Sequence, residues 1–264
     1  MIHDREISPR QAVGETLAEA RAALAERGYA SLGGVLDASA VAELNRELGA
    51  RDLARGEYGI LANQAWTWHE GFAALVRGGR LAALARELLQ TEEVVFFQDN
   101  LVWKPPGTTT RLEWHQDYSY WPLDAPRGVT LWLALDDADP ENGCLHYLPG
   151  THLEGERQPA DFIRDAGQPP RSGLLPLDWE QREHEAVAAP ARAGELLAHD
   201  PLVWHMSPVN RSALQRRAWS LTWISAEVRW APDHAPHPFH YLLQPAPGAR
   251  VEGPWFPRFC AAKA

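Results

Sequence analysis

Between Glu93 and Glu227 the chain breaks repeatedly into short β-forming segments with turn chemistry between them. The segments are Val94–Trp103, Arg111–Trp121, Gly128–Leu135, Cys144–Leu148, Ala193–Val203 and Arg216–Glu227. Pro105-Pro106-Gly107, Pro140 with Asn142-Gly143, and Pro149-Gly150 separate them. Short strands at close intervals predict an all-β sandwich or barrel rather than a series of βαβ units. The sequence before Glu93 has a different character. Leu17, Ala20 and Leu24 recur at helical spacing ahead of Gly28, and Tyr29–Leu32 is a short strand candidate. Asp37 caps a second helix with a Val41, Leu44, Leu48 stripe, and 71–90 reads as one further helix. The expectation is a single domain over 1–264, mainly β with flanking α. Residues 1–92 are mainly helical, 93–228 form the β core with a polar insertion or lid at 151–190, and 229–264 are an irregular tail.

Composition excludes several classes. A formal net charge of −10 disfavours nucleic acid and anionic lipid as partners. No apolar run approaches a membrane span, and the N-terminus lacks an apolar signal core. Two cysteines, Cys144 and Cys260, make no disulfide framework, so the expected location is cytoplasmic.

The segment Arg111–Trp121 contains His115-x-Asp117. On a strand these two side chains point to one face and can hold adjacent positions on one metal ion. Such triplets are often accidental, so a distant second histidine is required. Two histidines and one carboxylate on one face of a metal form the facial triad of non-heme Fe(II) oxygenases. Among 11 histidines, His205 stands where the apolar run Leu202-Val203-Trp204 meets a polar turn, with His199 as its local competitor. His234, His237 and His240 read as surface or loop residues, and His146 and His152 as structural or substrate-facing. A 2-oxo acid cosubstrate needs a permanently charged, planar partner for its far carboxylate, which arginine supplies in bidentate form. Arg216 and Arg217 open the final strand on opposite faces. Arg216 shares its face with Ala218, Ser220 and Thr222, which suit a lined cavity, whereas Trp219, Leu221 and Trp223 accompany Arg217. An isolated pair of arginines is also what a protein surface carries.

With these residues in view, the chain resembles the phytanoyl-CoA dioxygenase family of Fe(II)/2-oxoglutarate oxygenases. Trp114-His115-Gln116-Asp117 followed by Trp121 is similar to the family's first metal motif. Glu141-Asn142-Gly143-Cys144-Leu145 and Leu148-Pro149-Gly150-Thr151-His152 resemble its next segment, and His205-Met206-Ser207-Pro208-Val209-Asn210-Arg211-Ser212 the one after. Arg216 lies eleven positions past His205, the family spacing for its 2-oxoglutarate arginine. Met206 departs from the usual glycine. The resemblance implies a double-stranded β-helix, or jelly roll, with helices packed outside. It implies Fe(II) at His115, Asp117 and His205, 2-oxoglutarate at Arg216, and O2 as oxidant. Gln98, Lys104, Trp121 and Thr130 are its further cosubstrate positions, although Trp121 reads equally well as core packing and Lys104 nearly as well as a solvated strand end. Asp117 sits where related halogenases carry a small residue, so hydroxylation, desaturation or cyclisation is preferred. The family name suggests acyl-CoA. Its phosphates would need a basic patch, to which Arg111, Arg127 and Arg211 could contribute, and a small metabolite or natural-product intermediate is the preferred substrate. A non-catalytic metal-binding jelly roll and a zinc hydrolase on the same ligands are the competing readings.

Overall fold

Two antiparallel sheets face each other, and each is assembled from strands distant in sequence. The computed structural model describes residues 14–48, 61–157, 159, 163–165, 179–235, 243 and 245–261. In chain order the strands are β1 (Tyr29–Gly34), β2 (Leu61–Asn63), β3 (Glu93–Lys104), β4 (Thr110–His115), β5 (Gly128–Ala134) and β6 (Leu145–Tyr147), then β7 (Ile163–Asp165), β8 (Val187–Ala189), β9 (Glu195–His199), β10 (His205–Ser207), β11 (Arg216–Ser225) and β12 (Arg258–Cys260). The larger sheet runs β1-β9-β5-β11-β3-β12, with β2 also on β3, and the smaller runs β7-β4-β10-β6-β8. This is the double-stranded β-helix that the family resemblance implied.

The larger sheet buries its outer face under helices. These are α1 (Leu17–Arg27), α2 (Ala38–Glu47), α3 (Glu70–Arg77) and α4 (Arg80–Leu89). Thr16 and Glu19 form a capping box at the start of α1, and Gly28 ends it in the left-handed conformation (φ 86°). Phe72, Leu81 and Leu88 pack with Phe96, Leu101, Trp219, Leu221 and Trp223 in one apolar cluster. The bulky residues that alternate with Arg216 on β11 thus face the helices. Burial of this aromatic surface is the main force joining helices to sheet.

Several local expectations are corrected. The expected helix over 71–90 is two, because Gly79 takes a left-handed conformation (φ 75°) between α3 and α4. The strand expected at Tyr29–Leu32 is β1, while β2 is a further strand that the mainly helical first third gives to the larger sheet. The Arg111–Trp121 segment is a strand only to His115, and Asp117 lies in a turn before the short 3-10 helix Tyr118–Tyr120. The Ala193–Val203 strand ends at His199, and His205 opens β10 on the opposite sheet. The tail expected to be irregular returns as β12, with Arg258 opposite Val95. Of the expected insertion or lid at 151–190, residues 158, 160–162 and 166–178 lie outside the described residues, and the remainder gives β7 and β8 to the smaller sheet. Among the described residues no helix is long and apolar enough to cross a membrane.

Asp99 shows how the helical layer is tied down. It is fully buried, and its Oδ2 accepts from the Trp219 indole (2.7 Å) and the Trp66 backbone N–H (3.0 Å). Burial nonetheless pushes its carboxyl up to about 7 from an ordinary 3.8. Below pH 3.8 both folded and unfolded chains hold the proton. As pH rises towards 7 only the folded chain keeps it, so this group lowers stability across that window and adds nothing further above it. Between pH 5 and pH 8 the Asp99→Asn variant should therefore gain on the parent by on the order of 2 kcal/mol in urea unfolding. A parent–variant difference that does not vary with pH would remove this account of Asp99.

Candidate metal centre

His115, Asp117 and His205 converge between the sheets. One ligand atom from each lies within 4.8 Å of the other two. The histidines are brought together by strand pairing, since His205 of β10 is the Cα partner of His115 of β4. Asp117 reaches them from its turn. Its Oδ1 is 3.9 Å from His115 Nε2 and 3.6 Å from His205 Nε2. Alternation along one strand, the reason to expect His115 and Asp117 side by side, is not how the chain achieves it.

The protonation pattern follows from backbone carbonyls. His115 Nδ1 lies 2.6 Å from the Glu113 carbonyl oxygen and His205 Nδ1 3.0 Å from that of Val203. A carbonyl only accepts, so both Nδ1 atoms carry hydrogen and both Nε2 lone pairs face the centre. Burial pushes both imidazoles below their ordinary range, which keeps them neutral. Burial alone would raise the Asp117 carboxyl. The donors behind it, foremost the His199 hydrogen bond, oppose burial, and the group is held well below the usual carboxylate range. Two neutral imidazoles and an ionised carboxylate are the states that metal ligation requires.

Asp117 is also held from behind. Its Oδ2 accepts from the Thr130 hydroxyl at 2.7 Å and lies 3.2 Å from His199 Nε2. Gln98, Thr222, Thr130 and His199 are successive Cα partners across β3, β11, β5 and β9, so they form one polar rung on the inner face. Thr130 therefore contacts the acid of the triad, and half-buried Gln98 shares its rung. Trp121 lies in a core cluster, edge-on to Phe97 (5.8 Å) and Tyr118 (6.1 Å). Met206 is buried with Trp114, Leu148 and Trp204.

Arg216 and Lys104 are Cα partners, and both are fully buried. Arg216 donates to the Gly143 carbonyl oxygen (2.5 Å) and to Ser207 Oγ (2.6 Å), while its Nε has no acceptor. Burial lowers its guanidinium to about 10. Among the described residues no carboxylate pairs with it. Lys104 donates to the carbonyl oxygens of Ser207 (2.8 Å) and Pro208, and burial followed by the Arg216 charge pushes its ammonium well below its ordinary range. It is a buried residue, not a solvated strand end. Gly143 lets the strands close around these cations: at φ +91° its Cβ would stand 2.6 Å from the Pro208 oxygen. Arg217 on the outer face pairs with Asp136 at 2.7 Å. Of the arginines considered for CoA phosphates, Arg111 pairs with Glu113 (2.7 Å) and Arg127 with Glu227.

A triad of two buried histidines and one half-buried carboxylate in a double-stranded β-helix, beside a buried arginine with no carboxylate partner among the described residues, is the architecture of a non-heme metal oxygenase. The family model described as phytanoyl-CoA dioxygenase (PhyH) matches residues 24–218, and the chain belongs to that family. It is 32% identical over 180 residues to a phytanoyl-CoA dioxygenase domain-containing protein 1 from Bos taurus, covering 67% of this chain and 58% of that protein. It is 31% identical over 169 residues to an ectoine dioxygenase from Nocardia farcinica, covering 59% of this chain and 55% of that protein. The chain thus spans a little over half the length of these curated relatives. The solved carbocyclase SnoK, a non-heme alpha-ketoglutarate-dependent protein of nogalamycin biosynthesis, superposes with a TM-score of 0.73 at 25% identity, over 93% of this chain and 98% of that one.

Sequence reasoning missed His199 as a partner of Asp117, along with the carbonyls of Glu113 and Val203. The carbonyls leave no residue-type signal. Thr130, the one polar residue in the apolar run of β5, and His199, at the end of the apolar run of β9, were the available clue to the rung.

A buried charge without a partner costs stability. Arg216→Met should therefore leave the unliganded protein as stable as the parent, or more stable, in urea unfolding. A loss beyond about 3 kcal/mol would instead mark Arg216 as a structural ion.

Proposed function

We propose that the protein is an Fe(II)- and 2-oxoglutarate-dependent dioxygenase that oxidises an unactivated C–H bond of a small-molecule metabolite or natural-product intermediate. The observation that carries this reading is the pairing of a metal-ready triad with the buried cation of Arg216, which no carboxylate meets among the described residues. His115 Nε2, Asp117 Oδ1 and His205 Nε2 would hold the iron. Arg216 would take the far carboxylate of 2-oxoglutarate, with Ser207 and Gly143 fixing its guanidinium. Bound there, Fe(II) with 2-oxoglutarate and O2 supplies the oxidising power, with succinate and CO2 as coproducts.

The chain's own residues orient and exclude. The two Nδ1–H···O=C bonds fix the imidazole planes, so both lone pairs stay aimed at one point. The Trp132 ring lies 5.7 Å from the Arg216 guanidinium and limits water around it. Lys104 adds a second positive group beside the carboxylate position, restrained by backbone oxygens. The carboxylate of Asp117 favours hydroxylation, desaturation or cyclisation over halogenation. A free small molecule is favoured over acyl-CoA because Arg111 and Arg127 are engaged by glutamates.

The test is anaerobic titration of metal-free protein with Fe(II) and 2-oxoglutarate, following the visible metal-to-ligand charge-transfer band. The parent should develop the band, His205→Ala should lose it, and Arg216→Ala should need at least ~10-fold more 2-oxoglutarate. A folded, iron-loaded parent that shows no band would overturn the proposal.

A further inference from the structure

We infer that His199, fixed by Tyr147, is a positioning residue that restricts Asp117 to one metal-facing oxygen and so keeps a coordination position open. The inference rests on the metal reading given above. The two oxygens of Asp117 have different surroundings. Oδ1 faces the Nε2 atoms of His115 and His205 (3.9 and 3.6 Å). Oδ2 is turned to the larger sheet, where Thr130 (2.7 Å) and His199 (3.2 Å) meet it. Threonine alone satisfies one lone pair of Oδ2, and His199 occupies the other direction.

The His199 ring cannot itself serve as a ligand in this arrangement. Its Nε2 points at a carboxylate oxygen, which only accepts, so Nε2 carries the hydrogen. Its Nδ1 then accepts from the Tyr147 hydroxyl at 3.0 Å. Tyr147 is fully buried and stacks on Tyr29 with ring centroids 4.3 Å apart and planes at 7°, so the hydroxyl is held in place. Tyr29 is in turn the Cα partner of His199 on β1, which makes the buttress part of the sheet. The local competitor for the second metal histidine is thereby a donor to the metal's acid.

The consequence is one of counting positions. A carboxylate binds a metal through one oxygen or two. Two imidazoles and a two-oxygen Asp117 would take four of six octahedral positions. A chelating 2-oxo acid would take the remaining two and leave none for O2. With Oδ2 retained by Thr130 and His199, Asp117 would offer the metal one oxygen and leave room for O2.

Nitric oxide, a stand-in for O2 that gives a paramagnetic signal on ferrous sites, reads that position without turnover. It is titrated into anaerobic protein loaded with Fe(II) and 2-oxoglutarate, for the parent, His199→Gln, His199→Phe and Tyr147→Phe. Thermal midpoints are measured alongside. His199→Gln keeps an N–H donor and should bind nitric oxide within ~3-fold of the parent. His199→Phe should weaken it by at least ~10-fold. Tyr147→Phe, which keeps the stacked ring and removes the hydroxyl, should weaken it by ~3-fold or more. Parent-like nitric oxide affinity in both His199→Phe and Tyr147→Phe overturns the inference. So does a His199→Gln variant as impaired as His199→Phe at parental midpoints. If His199→Phe does not fold, the glutamine and Tyr147→Phe variants still decide. The charge-transfer band of the parent before nitric oxide is added separates this failure from failure of the metal reading itself.

Discussion

The two sheets meet on one carboxylate. Asp117 turns Oδ2 to Thr130 and His199 of the larger sheet and Oδ1 to the histidines of the smaller one. A buried carboxylate stays ionised only when neighbouring donors and charges outweigh the loss of water. Here the donors are Thr130 of β5 and His199 of β9. The separation of the sheets, the tautomers of the histidines and the polar rung on the inner face all serve the same group. The apolar clusters outside it hold the frame, and the aromatic packing on the helical side leaves the inner face free for polar side chains.

A second electrostatic imbalance lies beside the first. Arg216 and Lys104 form a buried basic pair whose acceptors, among the described residues, are hydroxyl and carbonyl oxygens. Proteins rarely bury guanidinium without an acid unless a ligand brings one. The negative centre at Asp117 suits a cation and the positive charge of Arg216 suits an anion.

Much of this was legible in the residues. The strand-and-turn rhythm predicted the β core, and alternation along β11 separated Arg216 from Arg217, because period-two patterning survives wherever a sheet has one polar and one apolar face. Other parts were not legible, for physical reasons. His115 and Asp117 sit together through a turn, whose geometry a strand pattern misstates. Thr130 and His199 come to Asp117 through register across three strands, and register is a tertiary property. The Gly79 break between α3 and α4 was written in the sequence as Gly78-Gly79, yet the leucine spacing on either side carried the helical reading through it.

The pairing of β12 with β3 and of β1 with β9 bears on how the protein is made. Residues 258–260 hydrogen-bond to a strand beginning at residue 93, and residues 29–34 to one at 195–199. Such long closures slow the search for the native topology, since the entropy of looping is spent before the contacts that reward it exist. The β9 strand carrying His199 cannot find both its neighbours until most of the sequence has left the ribosome. A nascent chain halted before β11 would expose unpaired edges of β3 and β5, which are templates for pairing with another chain.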